Sequence, residues 1–316
     1  MPNRPDDALP RYDDLPAAPG GARSAWGLFG AEDDSGLMNL QTPERVAAAA
    51  QEVRTGEVFP LGAPIDLVDP PMFRRGAPRH TVMAVSASGF DDVIDDFYPQ
   101  ASSQWDALAH VGFDDGVFYN GATPEDIRER GRNTIGHWAR RGIAGRAVLL
   151  DVAAVIGDVD PGTSRAITAD ELEAARERAG VTYRPGDVLL LHTGYLAWYA
   201  GQDAAARKAI AHGELRTIGI AHGEEMARYL WDSHVSAIAA DNPAAEVWPP
   251  DHAAWPFGYL HRMLIGQFGM AIGELWWLHD LAMSCRADGR YTAFLTSAPL
   301  YVRGGVGSPP GALAIK

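Results

Sequence analysis

The sequence predicts a single α/β domain that follows an irregular N-terminal arm. Apolar, β-branched runs typical of buried strands lie within 142–152, 185–195 and 235–243, and segments with helix-start signals alternate with them. This alternation is typical of proteins in which helices cover a sheet. With 316 residues, 47% of them hydrophobic, the chain can bury a large core. We assign the arm to residues 1–24 and the domain to 25–316.

Composition excludes several classes of function. The formal net charge of −14 and the lack of a basic stripe argue against nucleic-acid binding. Apolar runs around 147–156 and 263–278 contain Asp151 and Glu274 and are too short to span a membrane, and the start has no apolar signal region. We therefore expect a soluble cytoplasmic protein with no membrane partner. The single cysteine, Cys285, excludes an intrachain disulfide and is interpreted as a buried thiol.

The arm is rich in Pro, Asp, Gly and Arg, without periodicity. After it, Trp26 and Phe29 are candidates for lining a substrate pocket, although aromatic side chains beside a helix also commonly serve only to pack. Thr42 followed by Pro43 predicts an N-cap with proline at the first helical position, and the helix should run to about Arg54.

The polar stretch at 100–110 is the first candidate site. In an extended strand Gln100, Gln104, Asp106 and His110 share one face, and Trp105 points to the other. Amide oxygen, carboxylate and imidazole groups on one face could bind a divalent cation or direct a reacting water. The alternative is an amphipathic strand whose polar face meets solvent.

The middle of the chain alternates strands and helices. Thr168 and Glu171 form a predicted capping box. The strand that ends in His192 is a candidate pocket wall. His222 precedes a helix whose N-terminus would support negative charge in a ligand, although a surface or capping role is the plainer alternative. Helices are predicted at about 123–141, 168–180, 203–213 and 221–233.

A second candidate cluster lies in the C-terminal third, where His261 and Glu274 both have apolar neighbours. A glutamate is rarely buried unless it is paired or bound to a metal, so Glu274 needs a partner. Either a metal ion or a salt bridge to Arg262 would provide one.

The stretch at 100–110 resembles, position for position, the His-x-Gly-Thr-His-x-Asp-x-Pro-x-His motif of metal-dependent cyclases and kynurenine formamidase-like hydrolases. Asp106 and His110 match, while Gln100 and Gln104 replace the two earlier histidines and Leu108 replaces the proline. His261-Arg-Met-Leu-Ile, Ile-Gly-Glu274-Leu and the closing Gly304-Gly-Val-Gly-Ser308-Pro309 also match. The resemblance covers roughly 57–315, and 26–54 looks like the longer branch of the family, which has Gln-x-x-x-Gln-Trp-Asp.

The resemblance implies a swivelling β/β/α fold in dimers or tetramers, where a loop from one subunit often closes its neighbour's site. It implies Asp106, His261 and Glu274 as metal ligands. Gln100 and Gln104 stand where the first metal site has histidines. Because amide oxygens bind zinc more weakly than imidazole does, we expect one ion, manganese or zinc.

The resemblance further implies hydrolysis of a small amide, cyclic imide-like ring or lactone. A bound divalent ion lowers the pKa of water from about 15.7 towards about 7. His110 would be the general base and could also bind the metal, while the substrate would be held by aromatic side chains. The candidates for this contact are Trp26, Phe29, Trp105 and Trp198, with His222 as a further binding residue.

Two other functions stay open. The same metal and base could catalyse a dehydration or ring closure in a biosynthetic pathway. Alternatively, loss of the two histidines could have left a non-catalytic protein that binds a small molecule without a metal.

Overall fold

One large sheet carries the chemistry-bearing residues. The computed structural model describes residues 9–316, and within them thirteen strands form one nine-stranded sheet and two pairs. The strands are β1 Val58–Pro60, β2 Arg79–Ser86, β3 Gly89–Asp95, β4 Gln104–Asp106, β5 Ile143–Asp151, β6 Ala166–Ile167, β7 Val188–His192, β8 Gly219–Ile220, β9 Ala237–Ala240, β10 Ala271–Glu274, β11 Thr292–Ser297, β12 Gly307–Ser308 and β13 Ala312–Ile315.

The order in the large sheet is β1-β13-β11-β5-β7-β9-β10-β4-β12. Strands β5, β7, β9 and β10 run parallel, and the strands outside them pair antiparallel. Strands β7, β9 and β10 are buried along their whole length, as expected for parallel strands covered on both faces. Their carboxyl ends meet at one edge, which is where open α/β sheets usually bind ligands.

Helices cover this sheet, so the predicted α/β class is confirmed. The Thr42 side chain caps the first helix, and Thr168 and Glu171 form the predicted capping box. The first helix ends at Ala49, and a 3₁₀ turn at Ala50–Glu52 follows it. Within residues 9–316 the α-helices are α1 Pro43–Ala49, α2 Ile135–Arg141, α3 Ala153–Ile156, α4 Ala169–Ala179, α5 Tyr195–Ala200, α6 Ala204–His212, α7 Glu224–Asp232 and α8 His279–Asp288, and π-helical turns lie at Asp126–Arg130 and Arg262–Gln267.

The extended strand expected at 100–110 is wrong for most of its length. Only Gln104–Asp106 is a strand, and the chain then turns so that the backbone N–H of His110 donates to the carbonyl of Ala107 at 2.8 Å. Strand β4 is short because its partners, β10 and β12, are themselves short.

Of the predicted arm, residues 1–8 lie outside the described residues. From residue 9 onward the arm packs against α7 of the same chain. The N–H of Tyr12 donates to Asp232 at 2.7 Å, and the Arg228 guanidinium lies 4.5 Å from the centre of the Tyr12 ring.

Strands β2 and β3 form a hairpin that stands apart from the large sheet. Almost every residue of the hairpin is exposed, including Phe90 at 72% and Val82 at 60%. Across residues 9–316, none of the helices combines the length and the apolar composition that crossing a bilayer requires.

Candidate metal centre

Strand pairing brings three polar side chains onto one face of the sheet. Antiparallel β4 and β10 place Gln104 opposite Glu274 and Asp106 opposite Ile272. Paired residues share a face and alternate residues do too, so Gln104, Asp106 and Glu274 lie together. All three are buried. The amide of Gln104 donates from Nε2 to Oε2 of Glu274 at 2.6 Å.

His261 completes the cluster from the residue before the π-helical turn. Its Nε2 lies 3.1 Å from Oε1 of Glu274 and 3.9 Å from Oδ2 of Asp106. One ligand atom from each of Asp106, His261 and Glu274 lies within 4.8 Å of the others. Two carboxylates and an imidazole at this spacing can surround a divalent cation.

The donor set fits such an ion. Among the described residues, neither carboxylate oxygen of Asp106 has a hydrogen-bond partner, although both are buried, and Oε1 of Gln104 is also buried without one. Burial, with the neighbouring charge of Glu274, raises the pKa of Asp106 well above its usual value. A buried carboxylate without donors is costly, and a bound cation would supply the missing partner.

A second carboxylate, Glu246, fixes the orientation of His261. It accepts hydrogen bonds from the backbone N–H of Leu260 at 2.6 Å and of His261 at 3.1 Å, and it also contacts the His261 ring at Nδ1. Burial opposes ionisation, but the neighbouring imidazoles of His222 and His261 lower the pKa of Glu246 to about 2. Nδ1 is thereby engaged and Nε2 is directed at the centre, as is common for metal-binding histidines.

Sequence reasoning missed Glu246. It stands between Ala245 and Val247. The argument used for Glu274, that a glutamate among apolar residues needs a partner, applies equally to Glu246 and would have found it.

The alternative partner considered for Glu274 is wrong. The guanidinium of Arg262 instead donates to the carbonyl of Phe113 at 3.1 Å and lies 3.8 Å from Asp114. Glu274 is held by Gln104 and His261.

His110 reaches the centre through the turn after β4, and its Nε2 lies 3.6 Å from Oδ1 of Asp106. Burial, with the charges of His261 and Arg75 adding to it, lowers the pKa of His110 to about 3. The ring is therefore uncharged near neutral pH.

Gln100 precedes β4 and approaches the same face. Gly307 of β12 pairs with Asp106. A Cβ at Gly307 would lie 2.6 Å from Nε2 of Gln100, so glycine leaves the room that the Gln100 side chain occupies. Gln100 thus lies beside Asp106. The three ligand atoms that lie within 4.8 Å of one another, however, belong to Asp106, His261 and Glu274.

The predicted aromatic contacts are scattered. Trp105 differs from the prediction, because it is fully buried between Trp138 and Trp276 and donates to Ser297 at 2.9 Å, which leaves no surface for a substrate. Trp198 packs on Tyr195.

Trp26 donates to the carbonyl of Gly266 at 2.8 Å, and Phe29 packs against the core. His222 is partly exposed, and its Nε2 lies 2.9 Å from Oε2 of Glu246. His222 is thus linked to the metal centre, because Glu246 contacts both His222 and the ligand His261. Within residues 9–316, no contact links Trp26, Phe29 or Trp198 to the centre.

Comparison with known proteins gives a consistent set of relatives. The Cyclase family model matches residues 59–247. A crystal structure described as a novel cyclase is 33% identical, covers 93% of this chain and 99% of its own, and superposes with a TM-score of 0.82. Isatin hydrolase A from Labrenzia aggregata, bound to benzyl benzoate, is 17% identical, with coverage of 84% and 94% and a TM-score of 0.60.

Isatin hydrolase A from Ralstonia solanacearum is 19% identical, covers 87% of this chain and 98% of its own, and has a TM-score of 0.55. At these identities the two isatin hydrolases show a shared fold. A search of curated protein sequences found no match.

Proposed function

Because this chain belongs to the cyclase family, we propose that it is a metal-dependent hydrolase of a small amide, cyclic amide or imide, or lactone. One observation carries the proposal. The buried Asp106 carboxylate has no hydrogen-bond partner among the described residues, yet it lies within ligand distance of His261 and Glu274. Burying a carboxylate without a partner is costly, and a cation beside it would remove that cost.

In this proposal Asp106, His261 and Glu274 hold the ion. A divalent cation supplies Lewis acidity, which activates a water and polarises the substrate carbonyl. His261 Nε2 lies 3.1 Å from Oε1 of Glu274. Burial opposes charging of His261, but Tyr259 and hydrogen bonds to Glu246 and Glu274 raise its pKa. To hold the ion through Nε2, His261 would give up the proton on that atom.

His110 is the general base in this proposal. Its neutral ring lies at the edge of the cluster, and 23% of its side chain is exposed, so it can reach both the site and solvent. Nε2 would accept the proton of the attacking water and return it to the leaving nitrogen or oxygen.

The glutamines favour a single ion. Nε2 of Gln104 is committed to Glu274, which leaves only Oε1 to bind a metal. An amide oxygen is a weaker ligand for zinc than imidazole and is better suited to manganese. We therefore propose one manganese or zinc ion per chain.

The proposal is tested by metal content and by hydrolysis. The purified, untagged protein should contain about one manganese or zinc per chain by plasma mass spectrometry. It should also hydrolyse some member of a panel of amides, lactones and isatin. His110→Ala should lower kcat by about 10²–10⁴-fold and leave the metal content unchanged. His212→Ala, at an exposed position of α6, is the matched control.

Other outcomes point elsewhere. Net loss of water from substrates, without hydrolysis, would favour the dehydratase or ring-closing enzyme. No metal after reconstitution with both ions would favour the non-catalytic binding protein.

We further propose that the chain forms a homodimer or homotetramer through the β2–β3 hairpin. An isolated two-stranded hairpin is marginally stable in water, and this one exposes Phe90, Val82 and Val85 with Asp91 and Asp92 beside them. A hairpin with apolar and acidic side chains on its surface would fit a partner surface that is apolar and basic.

The loop at 300–303 offers such a surface. Tyr301 is 54% exposed and lies under the exposed guanidinium of Arg140, 5.7 Å from it, while Arg303 is exposed beside it. The acidic hairpin and this basic loop have complementary charges, which favours a second copy of this chain as the partner. The hairpin of one copy would then pack on the 300–303 loop of the other.

Phe90→Asp should convert the oligomer to a monomer in sedimentation velocity. Val58→Asp, at a similarly exposed apolar position on β1, should not. Asp92→Arg and Arg303→Asp should each weaken assembly and partly restore it when combined. A monomeric wild-type protein, or a Phe90→Asp protein that stays oligomeric, would contradict the proposal.

A further inference from the structure

An arginine side chain, Arg75, lies beside the metal centre. Arg75 is partly buried, and its Nη1 donates to the carbonyl of Gln100, the residue that begins the polar stretch before β4. Within residues 9–316, no aspartate or glutamate forms an ion pair with this guanidinium. Among residues 9–316 the guanidinium makes one hydrogen bond, which leaves most of its five N–H donors available.

A row of aromatic rings connects Arg75 to a metal ligand. The guanidinium lies 5.0 Å from the centre of the Phe73 ring, and Phe73 meets Trp248 edge-on at 5.0 Å. Trp248 contacts Tyr259 at 6.3 Å, and Tyr259 stacks on the His261 ring at 4.9 Å. Phe73, Trp248 and Tyr259 are all partly exposed, so they form a wall that a ligand could contact.

The backbone before Arg75 is in an unusual conformation. Phe73 and Arg74 have φ values of 57° and 59°, in the left-handed region that non-glycine residues rarely adopt. Such residues cluster at ligand-binding loops, where the surrounding structure holds them in place. Here Arg75 contacts the Phe73 ring, and Phe73 in turn contacts Trp248, whereas the side chain of Arg74 is exposed.

Arg75 lies next to the metal centre through Gln100. Its Nη1 donates to the Gln100 carbonyl, and the Gln100 side chain lies against Gly307, which pairs with Asp106. An anion bound at Arg75 would therefore lie close to the metal ligands.

We propose that Arg75 binds a carboxylate of the substrate, so the preferred substrates are small anionic amides or lactones whose ring packs on Phe73 and Trp248. The planar guanidinium fork matches a carboxylate in two parallel hydrogen bonds, and the aromatic wall matches a flat ring. This inference rests on the proposed hydrolase function, because it places the carboxylate beside the bond to be cleaved.

Binding of matched probes tests the inference without turnover. Benzoate and benzamide have the same shape and differ in charge, and their affinities can be measured by titration calorimetry. The metal-loaded protein should bind benzoate more tightly, and the preference should persist after the metal is removed with a chelator. Arg75→Gln should weaken benzoate binding by about tenfold or more and change benzamide binding less than about threefold.

Two further variants sharpen the test. Arg74→Gln removes the adjacent, exposed arginine and should leave both affinities unchanged. Arg75→Lys keeps the charge but loses the fork, so it should show an intermediate loss for benzoate, and it serves as a second variant if Arg75→Gln folds poorly.

Other results would overturn the inference. Equal benzoate binding by wild-type and Arg75→Gln protein would mean that Arg75 only offsets the charge of Asp106, and the variant would then bind metal more tightly. Loss of the benzoate preference on metal removal would assign the carboxylate to the ion. These results concern binding, so they stay distinct from a failure to hydrolyse amides or lactones, which would contradict the proposed function. If hydrolysis is found, 4-acetamidobenzoate should have a lower KM than acetanilide in the wild type and not in Arg75→Gln.

Discussion

Replacing Asp106 with asparagine should abolish metal binding and hydrolysis while leaving the metal-free protein at least as stable as the wild type. Both carboxylate oxygens are buried without a hydrogen-bond partner among the described residues, so without an ion the buried carboxyl group costs stability, and its pKa is raised. An amide of the same shape removes this charge and removes a ligand as well. We expect metal affinity to fall more than about 100-fold and the Tm measured in chelator to stay equal or rise.

Variants of three other carboxylates show how large the loss of metal affinity should be at each position. Glu274→Ala should also abolish metal binding, whereas Glu246→Gln, which acts through the orientation of His261, should weaken it by about 10–100-fold. Asp114→Asn changes a carboxylate that is 55% exposed and should have no effect. Full metal occupancy in the Asp106→Asn or Glu274→Ala protein would refute that ligand assignment.

Replacing Arg146 with methionine should destabilise the protein by about 3–5 kcal/mol at neutral pH, because it leaves a buried carboxylate unpaired. Arg146 donates from Nε and Nη2 to Asp187 at 3.0 and 2.6 Å and from Nη2 to the carbonyl of Thr182 at 2.6 Å. The side chains of Arg146 and Asp187 are only 7% and 3% exposed. Urea titration of wild type and variant would measure the difference.

The loss of stability should shrink as the pH falls. Burial raises the pKa of Asp187 even though Arg146 opposes this effect, so removing Arg146 should raise it further. A folded-state pKa above the unfolded value of about 3.9 means that the folded protein binds the extra proton, and the variant therefore loses stability as pH rises between the two values. The difference from wild type should be smaller at pH 5 than at pH 7.

Arg184→Met is the matched control for this pair. Its side chain is 59% exposed and lies 3.3 Å from Glu52, so its loss should cost less than about 1 kcal/mol. A loss of similar size in both variants, or one independent of pH, would contradict the role given to the buried pair.

The sequence by itself determined the features that depend only on residues close together along the chain. The Thr42 cap, the capping box of Thr168 and Glu171, and the buried strands β5 and β7 follow from local hydrogen bonding and from runs of apolar residues. Together they predicted the α/β class. The shared face of Gln104 and Asp106 also follows from alternation within one strand.

Only the tertiary structure decided which distant residues meet. Glu274 joins Asp106 because β10 pairs with β4, and Glu246 reaches His261 from a loop, and no local pattern specifies either contact. The strand predicted through His110 ended at Asp106 because β4 is only as long as the strands that pair with it. Strand pairing and burial act between residues far apart in sequence, so the metal centre, and the position of Arg75 beside it with no carboxylate partner within residues 9–316, emerge only when the sheet is assembled.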